Sequence, residues 1–169
     1  MSQNRRVFRP TFDASSGIGG WVSLEVSPLL AGNATQTIRA ASDLHTQAAQ
    51  PNLFIKIPGT PEGLRAIEEV IFEGVPVNVT LLFSPEQCRA AEEAYLRGLA
   101  GGLHLQVASV ASMFVSRWDV DVTQEISPPL RNRLGIAKAT LAYRRHREQL
   151  LSDRWQVLAA AGARPQRLL

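Results

Sequence analysis

At 169 residues, 45% of them apolar and 20% charged, with a net charge of +3, the chain has the length and make-up of a single soluble globular domain spanning 1–169. No run is apolar enough to span a bilayer, the first ten residues lack the apolar core of a signal peptide, and a single cysteine, Cys88, excludes an intramolecular disulfide, so a cytoplasmic protein is expected. Arginine greatly outnumbers lysine, but the basic clusters (Arg5-Arg6 with Arg9, Arg131 with Arg133, and Arg144-Arg145 with Arg147) have no interleaved aromatics or known DNA-entering motif, so neither nucleic acid nor membrane is an expected partner.

In chain order, the first strand-like run is 21–26. Asn33 is placed to cap a helix from 34 to about 49. The run 53–58 is a second strand ending in a Pro-Gly turn. Thr60, with Pro61 at the first helical position, starts a helix that Gly74 ends. A third strand, 76–83, leads into Ser84-Pro85-Glu86-Gln87, a capping-box start for a helix over 85–99 with Gly98 near its end. Cys88 falls in this helix as a small core-facing residue. A fourth strand is expected at 105–111, then a loop with Pro128-Pro129, a long amphipathic helix at 134–151, and a short one at 153–161 capped by Ser152 and ended by Gly162. Strands recurring about every 25–30 residues with helices between them imply parallel βα repeats with right-handed crossovers.

The polar residues distinguish an open sheet from a barrel. Side chains on a strand alternate between two faces. One face carries Val22, Leu24 and Val26, then Leu53, Ile55 and Ile57, then Val77, Val79 and Leu81. The other carries Ser23 and Glu25, then Phe54 and Lys56, then Asn78 and Thr80. An open parallel sheet is covered by helices on both faces and reads as continuous apolar runs. Polar groups converging on one face fit a barrel interior, near the carboxyl ends of the strands.

Lys56 is the residue that asks for an explanation. Burial disfavours the charged form of a lysine. A neutral amine attacks carbonyl carbon, the first step of Schiff-base chemistry. The alternative is a lysine that reaches solvent past an apolar stem. Glu25 could move protons for the amine through a water held partly by Thr80, or it could be a plain ion-pair partner of Lys56. Asn78 could hydrogen-bond a substrate hydroxyl, or, like Thr80, satisfy buried backbone. Arg117 has the planar fork that grips phosphate, or forms a surface salt bridge with Asp119 or Asp121. His45, His104 and His146 lie in separate elements and are expected at the surface, so no metal site is expected.

Four segments together resemble the transaldolase family, in the type found in actinobacteria and cyanobacteria. They are Val22-Ser23-Leu24-Glu25-Val26, Asn52-Leu53-Phe54-Ile55-Lys56-Ile57-Pro58-Gly59-Thr60, Val77-Asn78-Val79-Thr80-Leu81-Leu82-Phe83-Ser84 and Val110-Ala111-Ser112-Met113-Phe114-Val115-Ser116-Arg117. The segment 155–167 resembles the stretch before the family's seventh strand. The resemblance implies a transferase or aldolase of carbohydrate metabolism, of the pentose phosphate type, acting without a cofactor on a ketose or sugar phosphate or a related carbonyl compound. It implies that Lys56 is the Schiff-base lysine, that Glu25 and Thr80 hold the catalytic water, that Ser23 and Asn78 line the sugar site, and that Ser112 and Arg117 lie near the substrate phosphate.

The same resemblance implies a departure. The family's barrel has eight strands and about twice this length. By this mapping the sequence starts just before the third strand and stops where the seventh should begin, without the first-strand aspartate that serves C–C cleavage. The expected fold is therefore a half (β/α)8, TIM-type barrel of four strands. Its unpaired edges would be closed by a second copy, as a dimer, or by a partner chain, or one of them would be covered by the 134–151 helix. Two functions follow: a lysine-dependent enzyme, or a truncated, non-catalytic binding subunit that completes a barrel with a partner.

Overall fold

The computed structural model describes residues 7–169; Arg5 and Arg6 of the first basic cluster lie outside the described residues. The first element bounded within the described residues is a short helix α1 (Arg9–Ala14), which the sequence pattern did not announce. Then follow β1 (Val22–Glu25), α2 (Ala34–Ala48), β2 (Leu53–Pro58), α3 (Pro61–Phe72), β3 (Val77–Leu82), α4 (Pro85–Gly101) and β4 (Ser109–Met113). A second unannounced helix, α5 (Ser116–Asp121), precedes α6 (Leu134–Leu150), α7 (Asp153–Ala160) and a two-residue strand β5 (Arg167–Leu168). Pro128-Pro129 sits in a 3-10 turn, Pro128–Leu130.

The expected caps form. Asn33 Oδ1 accepts from the Gln36 amide at 3.0 Å, and Thr60 Oγ1 from the Gly63 amide at 3.0 Å. Ser84 and Gln87 make both bonds of a capping box. Each satisfies an amide that the first helical turn leaves without a backbone partner. Helix α4 runs past Gly98 to Gly101.

All five strands are parallel, in the order β1-β2-β3-β4-β5. A doubly wound sheet reverses its strand order at a switch point. Here the order never reverses, and neighbouring helices α2 with α3 and α3 with α4 pack on each other. Same-handed crossovers then put the helices on one side and curl the sheet away from them. That is half of a (β/α)8 barrel, with β5 added to the four expected strands. The helix-facing side holds the core: Ile55, Ile57, Val77, Val79 and Leu82 packed with Ile67, Val70 and Ile71 of α3 and with Ala91, Ala94 and Tyr95 of α4. Burying each of the larger side chains contributes about 1.5–3 kcal/mol. Cys88 is buried here, as expected.

Two strand expectations are corrected. Leu81 does not lie on the apolar face. The pairing of β3 with β4 slips between Val79 and Leu82, Leu81 takes a left-handed backbone (φ 57°) and is exposed, and Leu82 fills the core position instead. A bulge of this kind adds one residue and shifts the side-chain alternation. The fourth strand is Ser109–Met113, not 105–111, because the segment before it turns, with the Val107 amide bonded to the His104 carbonyl.

Close packing holds the strand that carries Lys56. A Cβ on Gly63, in the first turn of α3, would fall 1.9 Å from the Pro58 carbonyl oxygen at the end of β2. Only glycine lets the helix start that near the strand.

Candidate active site

Parallel pairing in register sets the site. Glu25 pairs with Lys56, Lys56 with Asn78, and Asn78 with Val110, so these residues form one layer on the face away from the helices. Ser23 pairs with Phe54 one layer nearer the amino ends of the strands. Thr80, two residues beyond Asn78, pairs with Pro58, and Ser112 lies two residues beyond Val110.

Lys56 Nζ is 3.6 Å from Glu25 Oε1. The lysine side chain keeps 30% of its exposure and the glutamate 55%, so the pair is open to water in this half-barrel. The contact is the ion pair that one reading of Glu25 expects. Asn78 spans three strands. Its Nδ2 donates to Ser23 Oγ of β1 at 3.1 Å, and its Oδ1 accepts from Ser112 Oγ of β4 at 2.8 Å. The two bonds fix which way the amide faces. Thr80 is 1% exposed, and among the described residues its Oγ1 has no hydrogen-bond partner. A buried hydroxyl left without a partner is costly. It therefore does not satisfy buried backbone, the alternative the sequence left open.

Arg117 stands in the first turn of α5, just past the carboxyl end of β4. Its guanidinium lies 4.6 Å from the centroid of Phe114 and 5.8 Å from that of Phe83, and the two rings stack at 5.5 Å. The salt bridge to Asp119 is not formed. Asp119 Oδ1 instead accepts from the Leu134 and Gly135 amides at 3.0 and 3.2 Å, capping α6 from a distance. The aromatic seat of Arg117 was not anticipated; the signal available was an arginine closely following Phe114 and a second phenylalanine at the end of the neighbouring strand. Glu25, Lys56, Thr80, Ser112 and Arg117 all lie toward the carboxyl ends of the strands, where barrel active sites form.

Away from this face, the histidine expectation is corrected in one case. His146 is largely buried between α6 and α4, with Nδ1 2.8 Å from Glu92 Oε1. His45 is half-buried, which pushes its pKa down, and His104 is exposed. No group of three or more metal-ligating side chains occurs among the described residues. No helix there is long and apolar enough to cross a membrane. Burial, and then the nearby Glu92 carboxylate, push the Cys88 thiol up to about 11, the state of an inert core residue rather than a nucleophile. The arginines at 144–147 face solvent, except that Arg145 is half-buried and pairs with Glu86, whose carboxyl that hydrogen bond holds down to about 2.

The family model for Transaldolase/Fructose-6-phosphate aldolase matches residues 6–167. The chain belongs to that family. Among curated transaldolases, it is 46% identical to "Transaldolase" of Thermobifida fusca and 44% identical to that of Acidothermus cellulolyticus. It is 40% identical to "Transaldolase 2" of Nostoc sp.. Each match covers 96% of this chain but only 47–48% of the relative. The chain thus spans about half the length of the transaldolases it matches. This agrees with the fold, in which the sheet curls like a barrel wall but leaves the outer edges of β1 and β5 unpaired among the described residues.

Proposed function

We propose that the open face carries a transaldolase-type Schiff-base site acting on a keto sugar, a sugar phosphate or a related small carbonyl compound. The observation that carries this reading is the contact of Lys56 Nζ with Glu25 at 3.6 Å, in the same register layer as Asn78. Glu25 takes the proton the ammonium must lose. The amine nitrogen then bonds to the keto carbon, the C=O π pair moves onto oxygen, and one proton passes from that nitrogen to the oxygen, giving a neutral carbinolamine. A second proton, returned from Glu25 through a water bonded to Thr80 Oγ1, lets that oxygen leave as water. The nitrogen lone pair closes the C=N bond of the iminium. The iminium accepts the electron pair of an adjacent bond, so an enamine can form and add to an aldehyde. Ser23, Asn78 and Ser112 hold the hydroxyls of the bound sugar. Arg117, kept in place by Phe83 and Phe114, meets the phosphate with its fork.

The exposure of Lys56 and Glu25 favours a second element of the proposal: the working site is a completed barrel. Added strands pairing with β1 and β5 would shield the amine and strengthen its contact with Glu25. They come from a second copy, a partner chain or further sequence joined to this one. If such closure gives no activity, the chain is a non-catalytic half that acts through the partner it binds.

Borohydride trapping tests the chemistry. With dihydroxyacetone or fructose 6-phosphate, the intact protein should gain the mass of one reduced adduct, located at Lys56 and lost in Lys56→Ala. No adduct with either compound, in a protein shown to be folded, would overturn the Schiff-base reading. Light scattering on the same sample reports whether the chain closes on itself as a dimer.

A further inference from the structure

At the opposite end of the half-barrel, at the amino ends of the strands, the segment between α1 and β1 folds under the sheet. Phe12 meets Trp21 edge-on at 4.9 Å, and Trp21 stacks on Phe54 at 4.0 Å. The Trp21 indole N–H is committed to the Gly17 carbonyl at 2.8 Å. Arg167 of β5 donates to the Ile18 carbonyl at 2.6 Å, so the last strand is tied to the segment ahead of the first.

This arrangement leaves a cavity of about 450 Å3 whose lining includes Ile18, Trp21, Phe54 and Pro165, together with Arg164 and Arg167. Its size is within the range of small-molecule sites, about 300–1,000 Å3. Two features of the lining are informative. It is mostly apolar, with an aromatic pair on one wall, and it carries two guanidiniums and no acidic side chain. Arg164 forms no ion pair among the described residues, and its Nη1 lies against Gly17, 3.2 Å from where a Cβ would stand. A cationic, apolar cleft complements an apolar anion.

We propose that this cavity binds a small aromatic carboxylate, its ring against Trp21 and Phe54 and its carboxylate on Arg164, with the free N–H groups of Arg167 as a second donor. The site is separate from the lysine chemistry and does not depend on it. Phe54 forms part of its wall and lies two residues before Lys56 on the same face, so an occupant sits one layer beneath the amine.

Titration with 3-phenylpropionate, followed by tryptophan fluorescence, tests this. The acid should give a saturable change that is absent in Trp21→Phe, since Trp118 and Trp155 lie elsewhere. Loss of the charged hydrogen bond should weaken 3-phenylpropanamide at least about tenfold, and Arg164→Gln should weaken the acid by a similar factor. Acetate should give no change, and Arg117→Gln should leave the acid's affinity unaltered. Equal binding of acid and amide, no saturable change up to about 1 mM, or loss of binding in Arg117→Gln would each overturn the proposal. The acid–amide comparison uses the unmodified chain, so it decides the matter even if Arg164→Gln fails to fold.

Discussion

Tyr95→Phe isolates the bond that ties the last two strands to the body of the fold. Tyr95 is fully buried in α4, and its hydroxyl lies 2.9 Å from the Val107 carbonyl and 2.7 Å from the Arg164 carbonyl. Those carbonyls lie in the segments leading into β4 and β5. One hydroxyl proton serves one acceptor at a time, so the substitution removes one hydrogen bond and leaves two carbonyls short of a buried donor. A net hydrogen bond is worth about 0.5–1.5 kcal/mol, and a buried group left unsatisfied raises the cost to about 1–3 kcal/mol. For a chain of this size that corresponds to a fall in melting temperature of about 2–12 °C. Burial also pushes the Tyr95 pKa above its ordinary value of 10. A pKa raised by folding contributes stability that is whole below the unfolded value and is lost as pH rises beyond it. The wild type should therefore lose stability above pH 10 through this group, and Tyr95→Phe should lose less over that range. Urea melts at pH 8 and from pH 9 to 11 measure both effects. An unchanged or raised midpoint at pH 8 would refute the account of the hydroxyl as a tie between α4 and the last two strands.

Thr80→Val is expected to leave stability equal or raise it by up to about 1 kcal/mol, since it removes a buried hydroxyl without a partner, while slowing borohydride trapping at Lys56; a thermal melt and a trapping time course on one sample check both. Cys88 has a thiol pushed from 9 up to about 11, so its contribution is intact below pH 9 and fades as pH rises through 11; the cost of Cys88→Ala, read from urea midpoints, should shrink across that window. In Gly135→Ala, the new Cβ would lie 2.7 Å from the Val115 carbonyl and 2.6 Å from Asp119 Oδ2, crowding the capped start of α6. A loss of about 1–3 kcal/mol is expected, measurable by denaturant melts, and a neutral result would show that α6 does not dock as tightly as described.

Much of the candidate site was readable from the chain because a parallel strand turns sequence into geometry. Alternation with period two places Ser23, Glu25, Lys56 and Asn78 on one face, and in-register pairing makes them neighbours. The caps were equally local: Asn33, Thr60, Ser84 and Ser152 each bond an amide within three residues. Where local rules broke down, a distant partner had intervened. The bulge at Leu81 depends on how β3 pairs with β4, and His146 is buried because Glu92, 54 residues earlier, meets it between two helices. Gln166, buried and bonded to Ser109 Oγ at 2.9 Å, is likewise a long-range polar contact with no sign in the local sequence.

The βα rhythm, the helix starts and the polar face are written in the residue order, because backbone preference and side-chain alternation act over a few residues. The bridging of three strands by Asn78, the aromatic seat of Arg117 and the reach of the segment before β1 to Arg167 emerge only once the chain is folded. Those contacts join residues far apart in the chain, and their geometry is set by the curl of the sheet as a whole.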